Sequence, residues 1–141
     1  NNLVTELYTC DVSNSIDIPF QGKSNLEFFK KSDSTQMFRQ LKERSIAPDL
    51  FHIDGRLNQD DLPLLVDLQV MESIILLDDF EGIEKGVANA FALQGVVSKS
   101  HVMIYPPKPE DCDSIELDEI FPGTCTTAVM FPLKLVNFTR Q

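Results

Sequence analysis

Two short apolar runs flank a helical stretch in the middle of the chain. The first run, Leu50–Ile53, ends at Asp54, and the second, Ser73–Leu77, ends at Asp78 and Asp79. The second run is continuously apolar, which is typical of a strand that is buried on both faces, and the residues between the runs carry apolar side chains at helical spacing. This order predicts a βαβ unit, in which a crossover helix joins two neighbouring parallel strands.

The same alternation of strand-like and helical segments extends over the rest of the sequence. Further strands are predicted at Leu3–Cys10, Asn25–Lys30, Val102–Tyr105 and Thr126–Leu135, and further helices at Gln36–Arg44 and Gly82–Leu93. We therefore predict one α/β domain over residues 1–141, with a Rossmann-like, mainly parallel sheet, crossover helices and antiparallel final strands.

Helix boundaries are predicted from capping residues. Ser34 or Thr35 is expected to cap the first helix, Asn58 the second, and Gly95 is expected to follow the end of the third. The buried face of the third helix is predicted to consist of four side chains, Ile83, Val87, Ala90 and Phe91.

The net charge of −10 is concentrated in one part of the chain. Residues 57–123 hold 3 basic and 14 acidic residues, most of which we interpret as solvated surface. Such a surface is unsuited to a nucleic-acid backbone, and no apolar run approaches the ~20 residues of a membrane span. We therefore expect no binding to nucleic acid or to membranes, and the sequence is compatible with a homo-oligomer.

Three widely spaced cysteines suit a reducing compartment, so we expect a cytoplasmic protein.

Acidic or polar residues follow four successive predicted strands. They are Asp11, the Ser32–Asp33–Ser34 segment, Asp54, and the Asp78–Asp79 pair. Because ligands of parallel α/β sheets bind outside the carboxyl ends of the strands, these residues predict an acidic cleft. Converging carboxylates can coordinate a divalent cation, and a single one can bind ribose hydroxyls. The alternative is that all of them cap nearby turns and helices.

Several segments resemble class I S-adenosylmethionine-dependent methyltransferases of the small-molecule O-methyltransferase branch. "FHIDGRLNQDDLPLLVDLQ" and "IILLDDFEGIEKGVANAF" are similar to that family's fourth and fifth strands with their "IDG" and "DD" motifs. "FFKKSDSTQMF" resembles the segment after its third strand, and "YTCDVS" the acidic end of its second. The resemblance covers roughly residues 3 to 95.

The resemblance implies a role for each matching position. Asp11 would bind the ribose of S-adenosylmethionine, and Asp33 and Ser34 would lie near its adenine. Asp54 would complete the cofactor site. Together with Asp78 and Asp79 it would also bind Mg²⁺ or another divalent cation that positions the hydroxyl of a small-molecule acceptor.

The resemblance also has two departures. The family's opening strand and Gly-rich loop have no counterpart, so we expect an N-terminally incomplete fold in which the second and fourth strands need another partner. Arg56 stands where relatives often have histidine or an acid, and it could contact an anionic group of the substrate. Two alternatives remain open: a degenerate, non-catalytic Rossmann-like binding module, and a metal-dependent hydrolase or hydroxylase-like enzyme that uses the carboxylates alone.

Overall fold

The computed structural model describes residues 5–13, 25–80, 83–105 and 127–136. These residues form an α/β structure in which most helices follow a strand. Its strands and α-helices, in chain order, are β1 Leu7–Asp11, β2 Leu26–Lys30, α1 Ser34–Glu43, β3 Leu50–Ile53, α2 Asp61–Asp67, β4 Ile74–Leu77, α3 Gly86–Val97, β5 His101–Ile104 and β6 Ala128–Pro132. Two short 3-10 helices cover Val70–Glu72 and Leu133–Leu135.

The strands form two sheets. β1 and β2 pair in parallel, and the other four strands form a sheet in the order β3-β4-β6-β5. β3 and β4 are parallel, whereas β6 is antiparallel to both of its neighbours. β3, β4 and β5 therefore share one direction, and both the α/β class and the antiparallel final strands are confirmed.

One apolar cluster connects the two sheets. It contains Phe29 of β2, Phe38 of α1 and Phe51 of β3, and the last two rings meet edge to face with their centroids 6.1 Å apart. On β4, Ile75 and Leu77 are fully buried, whereas Ile74 and Leu76 on the other face are partly buried. The strand that the sequence predicted to be buried on both faces is therefore covered more completely on one of them. The helices thus hold the two sheets around a shared interior.

The first two helices differ from the prediction at their starts. α1 is capped by Asp33, whose Oδ1 accepts a hydrogen bond from the Gln36 amide at 2.8 Å, so the predicted caps Ser34 and Thr35 are wrong. α2 begins only at Asp61 and has no side-chain cap hydrogen bond. Asn58, the predicted cap, instead donates its backbone N–H to Asp61 Oδ2.

The third helix lies about one turn later than predicted. It covers Gly86–Val97, so Gly95 is inside the helix and does not terminate it. Ile83 and Phe91, placed on the buried face by the sequence, are 82% and 72% exposed. The buried positions are Gly86, Asn89, Leu93 and Val97. The helix itself carries apolar side chains on all of its faces, so their spacing in the sequence does not indicate which face is buried.

Within the described ranges, no helix combines the length and the apolar character needed to cross a membrane.

Candidate functional site

The carboxyl ends of β3 and β4 lie side by side. Ile53 is the register partner of Leu77, and the Asp78 amide donates to the Ile53 carbonyl at 3.1 Å. Asp54 and the Asp78–Asp79 pair therefore leave the sheet at the same edge. The prediction that these acids come close together is confirmed.

Lys85 bridges these two strand ends. Its Nζ lies 2.5 Å from Asp79 Oδ2 and 3.8 Å from Asp54 Oδ1. The hydrogen bond to Asp79 raises the pKa of Lys85, as do the charges of Asp79, Asp54 and Asp78. The side chain is therefore a cation at neutral pH.

The neighbouring acids Asp78 and Asp79 have different partners. Asp78 Oδ1 accepts a hydrogen bond from Thr127 Oγ1 at 2.8 Å, and its Oδ2 lies 3.9 Å from His52 Nε2. Asp79 has a φ of 51°, in the left-handed region. The alternative that this pair caps the following helix is wrong, because α3 begins at Gly86 without a side-chain cap hydrogen bond.

The predicted metal ligands do not converge on one point. A divalent cation needs several oxygen ligands within about 2.0–2.6 Å. Asp78 is bonded to Thr127, and a lysine ammonium contacts Asp79. Over the described ranges, no group of three or more histidine, cysteine or acidic side chains is arranged to hold an ion. This arrangement does not fit the predicted divalent cation.

The predicted cofactor-binding acids lie at the ends of β1 and β2. The Ser32 amide donates to the Asp11 carbonyl at 3.2 Å, which joins the two strand ends. Asp11 Oδ1 accepts from the Ser13 amide at 2.5 Å, and Asp33 caps α1. Both carboxylates thus have the local turn and capping contacts of the structural alternative.

Cys10 lies among acids at this second edge. Its half-buried thiol has a raised pKa, mainly through burial and further through the charges of Asp33, Asp11 and Asp61. Three carboxylates from three separate parts of the chain therefore lie within electrostatic range of this thiol.

Asp61 is a functional or structural centre that the sequence analysis missed. This fully buried carboxylate accepts hydrogen bonds from Ser34 Oγ at 2.7 Å, from Thr35 Oγ1 at 2.6 Å and from the Asn58 amide at 2.8 Å. It thereby joins the start of α1 to the start of α2. Ser34, predicted to lie near adenine, is one of its donors.

A shallow groove of about 250 Å³ lies between α2, α3 and the loop after β3. Buried Asn89 holds this loop on α3, since its Nδ2 donates to the Gly55 carbonyl at 2.8 Å and its Oδ1 accepts from the Leu57 amide at 2.9 Å. The groove is lined by Arg56, Leu57, Asn58, Gln59, Leu62, Ala88, Asn89 and Ala92. It combines one guanidinium with amides and small apolar side chains.

The chain matches no family model, no curated protein and no solved structure.

Proposed function

We propose that the chain is an S-adenosylmethionine-dependent methyltransferase, or the C-terminal part of one, that acts on the hydroxyl group of a small molecule. The parallel β3–β4 pair carries this proposal, because its register puts Asp54 beside Asp78 and Asp79 at one edge. That edge is where parallel α/β sheets bind their ligands.

The strand order supports the proposal. If an opening strand is counted as the first, β1 to β4 are the second to fifth, in line with the motifs that resemble the methyltransferase family. The observed pairs β2–β1 and β3–β4 are then the 3-2 and 4-5 pairs of the doubly wound order 3-2-1-4-5-6. Within the described residues, β1 and β3 each have one strand partner, as expected of such a sheet without its opening strand.

The proposed site assigns a different task to each edge. Asp11 would accept hydrogen bonds from the cofactor ribose, with Asp33 and Ser34 near the adenine. The groove beside Arg56 would hold the acceptor, with the guanidinium directed to a negatively charged group. The bound cofactor supplies an electrophilic methyl group, and the chain binds and orients both molecules so that the acceptor oxygen faces it.

Calorimetric titration with S-adenosylhomocysteine tests the cofactor part of the proposal. We expect saturable binding, and we expect Asp11→Asn to weaken it roughly tenfold because a hydrogen bond to a charged group is lost. Asp49→Asn, at an exposed acid of the turn before β3, is the matched control and should bind like the unmodified chain.

Two results would count against this assignment. Absence of any S-adenosylhomocysteine binding would contradict the proposed cofactor site. A large fall in the melting temperature of Asp11→Asn would assign Asp11 to its turn with Ser13, since a partly exposed strand-end acid that serves only to bind the cofactor contributes little to stability.

A non-catalytic binding module is the second candidate function. It is favoured by the local partners of the acids: the Ser13 amide for Asp11, the Gln36 amide for Asp33, Thr127 for Asp78 and Lys85 for Asp79. Acids that serve turns, caps and ion pairs need no ligand to be stable. Cofactor binding without methyl transfer to any hydroxyl acceptor would favour this module.

A further inference from the structure

We infer that the Lys85 side chain is the built-in cation of the β3–β4 edge, and that it takes the place of a divalent metal between Asp54 and Asp79. This inference deepens the proposed function, on which its catalytic meaning rests, because it makes the reaction metal-independent. It concerns only the ions that the site accepts, so it can be tested without a substrate.

The geometry at the two strand ends supports an ammonium group. Asp54 follows β3 and Asp79 follows β4, yet one Nζ lies 3.8 Å from the first and 2.5 Å from the second. A cation that bridged the two parallel strands would have to occupy the same space. A positive charge so close to these carboxylates disfavours a second cation there by direct repulsion.

The third acid is engaged elsewhere. Thr127 donates to Asp78 Oδ1 at 2.8 Å, and His52 lies 3.9 Å from Asp78 Oδ2. Asp78 is thus held by Thr127 through one oxygen, and its other oxygen lies on the side of His52.

The start of α3 fixes Lys85 in place. Gly86 approaches the end of β4 so closely that an added Cβ would lie 2.4 Å from the Asp78 carbonyl oxygen. Lys85, the residue before it, is therefore held against the strand end by backbone packing.

The inference is tested by melting the chain with and without millimolar Mg²⁺ or Mn²⁺. The unmodified chain should not be stabilised by either ion. Lys85→Met removes the charge but keeps the length of the side chain, so this variant should become metal-stabilised through mass action. We expect it to bind Mn²⁺ at least about tenfold more tightly than the unmodified chain does, because the repulsive charge is gone. Adding Asp79→Asn should abolish the gain.

Two controls separate charge from general destabilisation. Lys85→Arg keeps the positive charge and should remain indifferent to metal. Lys134→Met removes a lysine that pairs with exposed Glu72 instead, and it should also remain indifferent.

Three outcomes would overturn the inference. One is metal stabilisation of the unmodified chain equal to that of Lys85→Met, and another is a folded Lys85→Met that ignores metal. If Lys85→Met does not fold, Mn²⁺ is titrated into the unmodified chain instead. The third contradicting outcome is that the unmodified chain binds Mn²⁺ and that Asp79→Asn removes this binding, whereas the absence of Mn²⁺ binding supports the inference. Titration with S-adenosylhomocysteine measures cofactor binding and does not depend on any of these metal experiments. A failure of the proposed function can therefore be told apart from a failure of the inference about Lys85.

Discussion

At the scale of single residues, Asp61 joins the two helices that follow β2 and β3. A fully buried carboxylate is costly unless its oxygens accept hydrogen bonds, and here two hydroxyls and one amide supply them. Two of these donors, Ser34 and Thr35, lie more than twenty residues away along the chain. Asp61 therefore acts as a tertiary link between the starts of α1 and α2.

Asp61→Asn should destabilise the chain by roughly 1–3 kcal/mol, because the new amide group brings a donor to a site that is filled with donors. Asp60→Asn is the matched control. Asp60 is exposed and makes no side-chain cap hydrogen bond, so its replacement should change stability by less than about 0.5 kcal/mol. Urea unfolding of the two variants checks this, and equal losses would show that Asp61 is not the link.

At the scale of elements, the position of α3 depends on one close contact between backbones. Gly86 begins the helix against the Asp78 carbonyl and the Phe80 backbone, whereas nothing lies within 4 Å of a Cβ added at Gly95. The same substitution at these two glycines should therefore have opposite effects.

Gly86→Ala should destabilise the chain by about 1–3 kcal/mol, since the clash with backbone outweighs the better helix propensity of alanine. Gly95→Ala should stabilise it by about 0.5–1 kcal/mol, because it gains that propensity without a clash. Thermal melting of both variants measures the difference. A stabilising Gly86→Ala would mean that α3 is free to move away from β4.

The strands were more predictable from the sequence than the helices were. Leu50–Ile53 was predicted with its observed bounds, and Ser73–Leu77 is longer than β4 by one residue. Both strands bury alternate side chains, and the apolar residues at these positions mark them as strands. The parallel register of these strands then brought Asp54 to the Asp78–Asp79 pair.

The missed features depend on contacts between distant parts of the chain. Asp60 and Asp61 are adjacent acids in the sequence, and only the position of α1 decides that the second is buried. Lys85 has Glu84 as its neighbour in sequence but lies beside Asp79 in space. Capping and charge-pairing rules that act over a few residues cannot find such partners.

At the scale of the whole molecule, α1 connects the interior of the two sheets. Phe38 is 5% exposed and packs on Phe51 of β3, in the same cluster as Phe29 of β2. No strand of the β1–β2 sheet pairs with the other sheet among the residues described. Within the described residues, side-chain packing rather than strand pairing must therefore couple the unfolding of the two sheets.

Phe38→Ala should destabilise the chain by about 3–5 kcal/mol, because it leaves a cavity where the two sheets meet. Hydrogen exchange should accelerate in both β1–β2 and β3–β4. Phe91→Ala, at a phenylalanine that is 72% exposed, is the matched control and should be nearly neutral. Acceleration confined to one sheet would show that the sheets unfold separately.

The position of β6 affects how the chain can fold as it leaves the ribosome. β6 is the last strand described, yet it lies between β4 and β5, where Ala128 and Met130 are buried in the interior. Until Ala128–Pro132 has been synthesised, β4 and β5 each lack the partner that β6 provides, and their open edges can pair with other chains. The strand that lies between β4 and β5 is therefore synthesised after both of them. A nascent chain that stalls before Ala128 leaves the edges of β4 and β5 unpaired and is prone to aggregation.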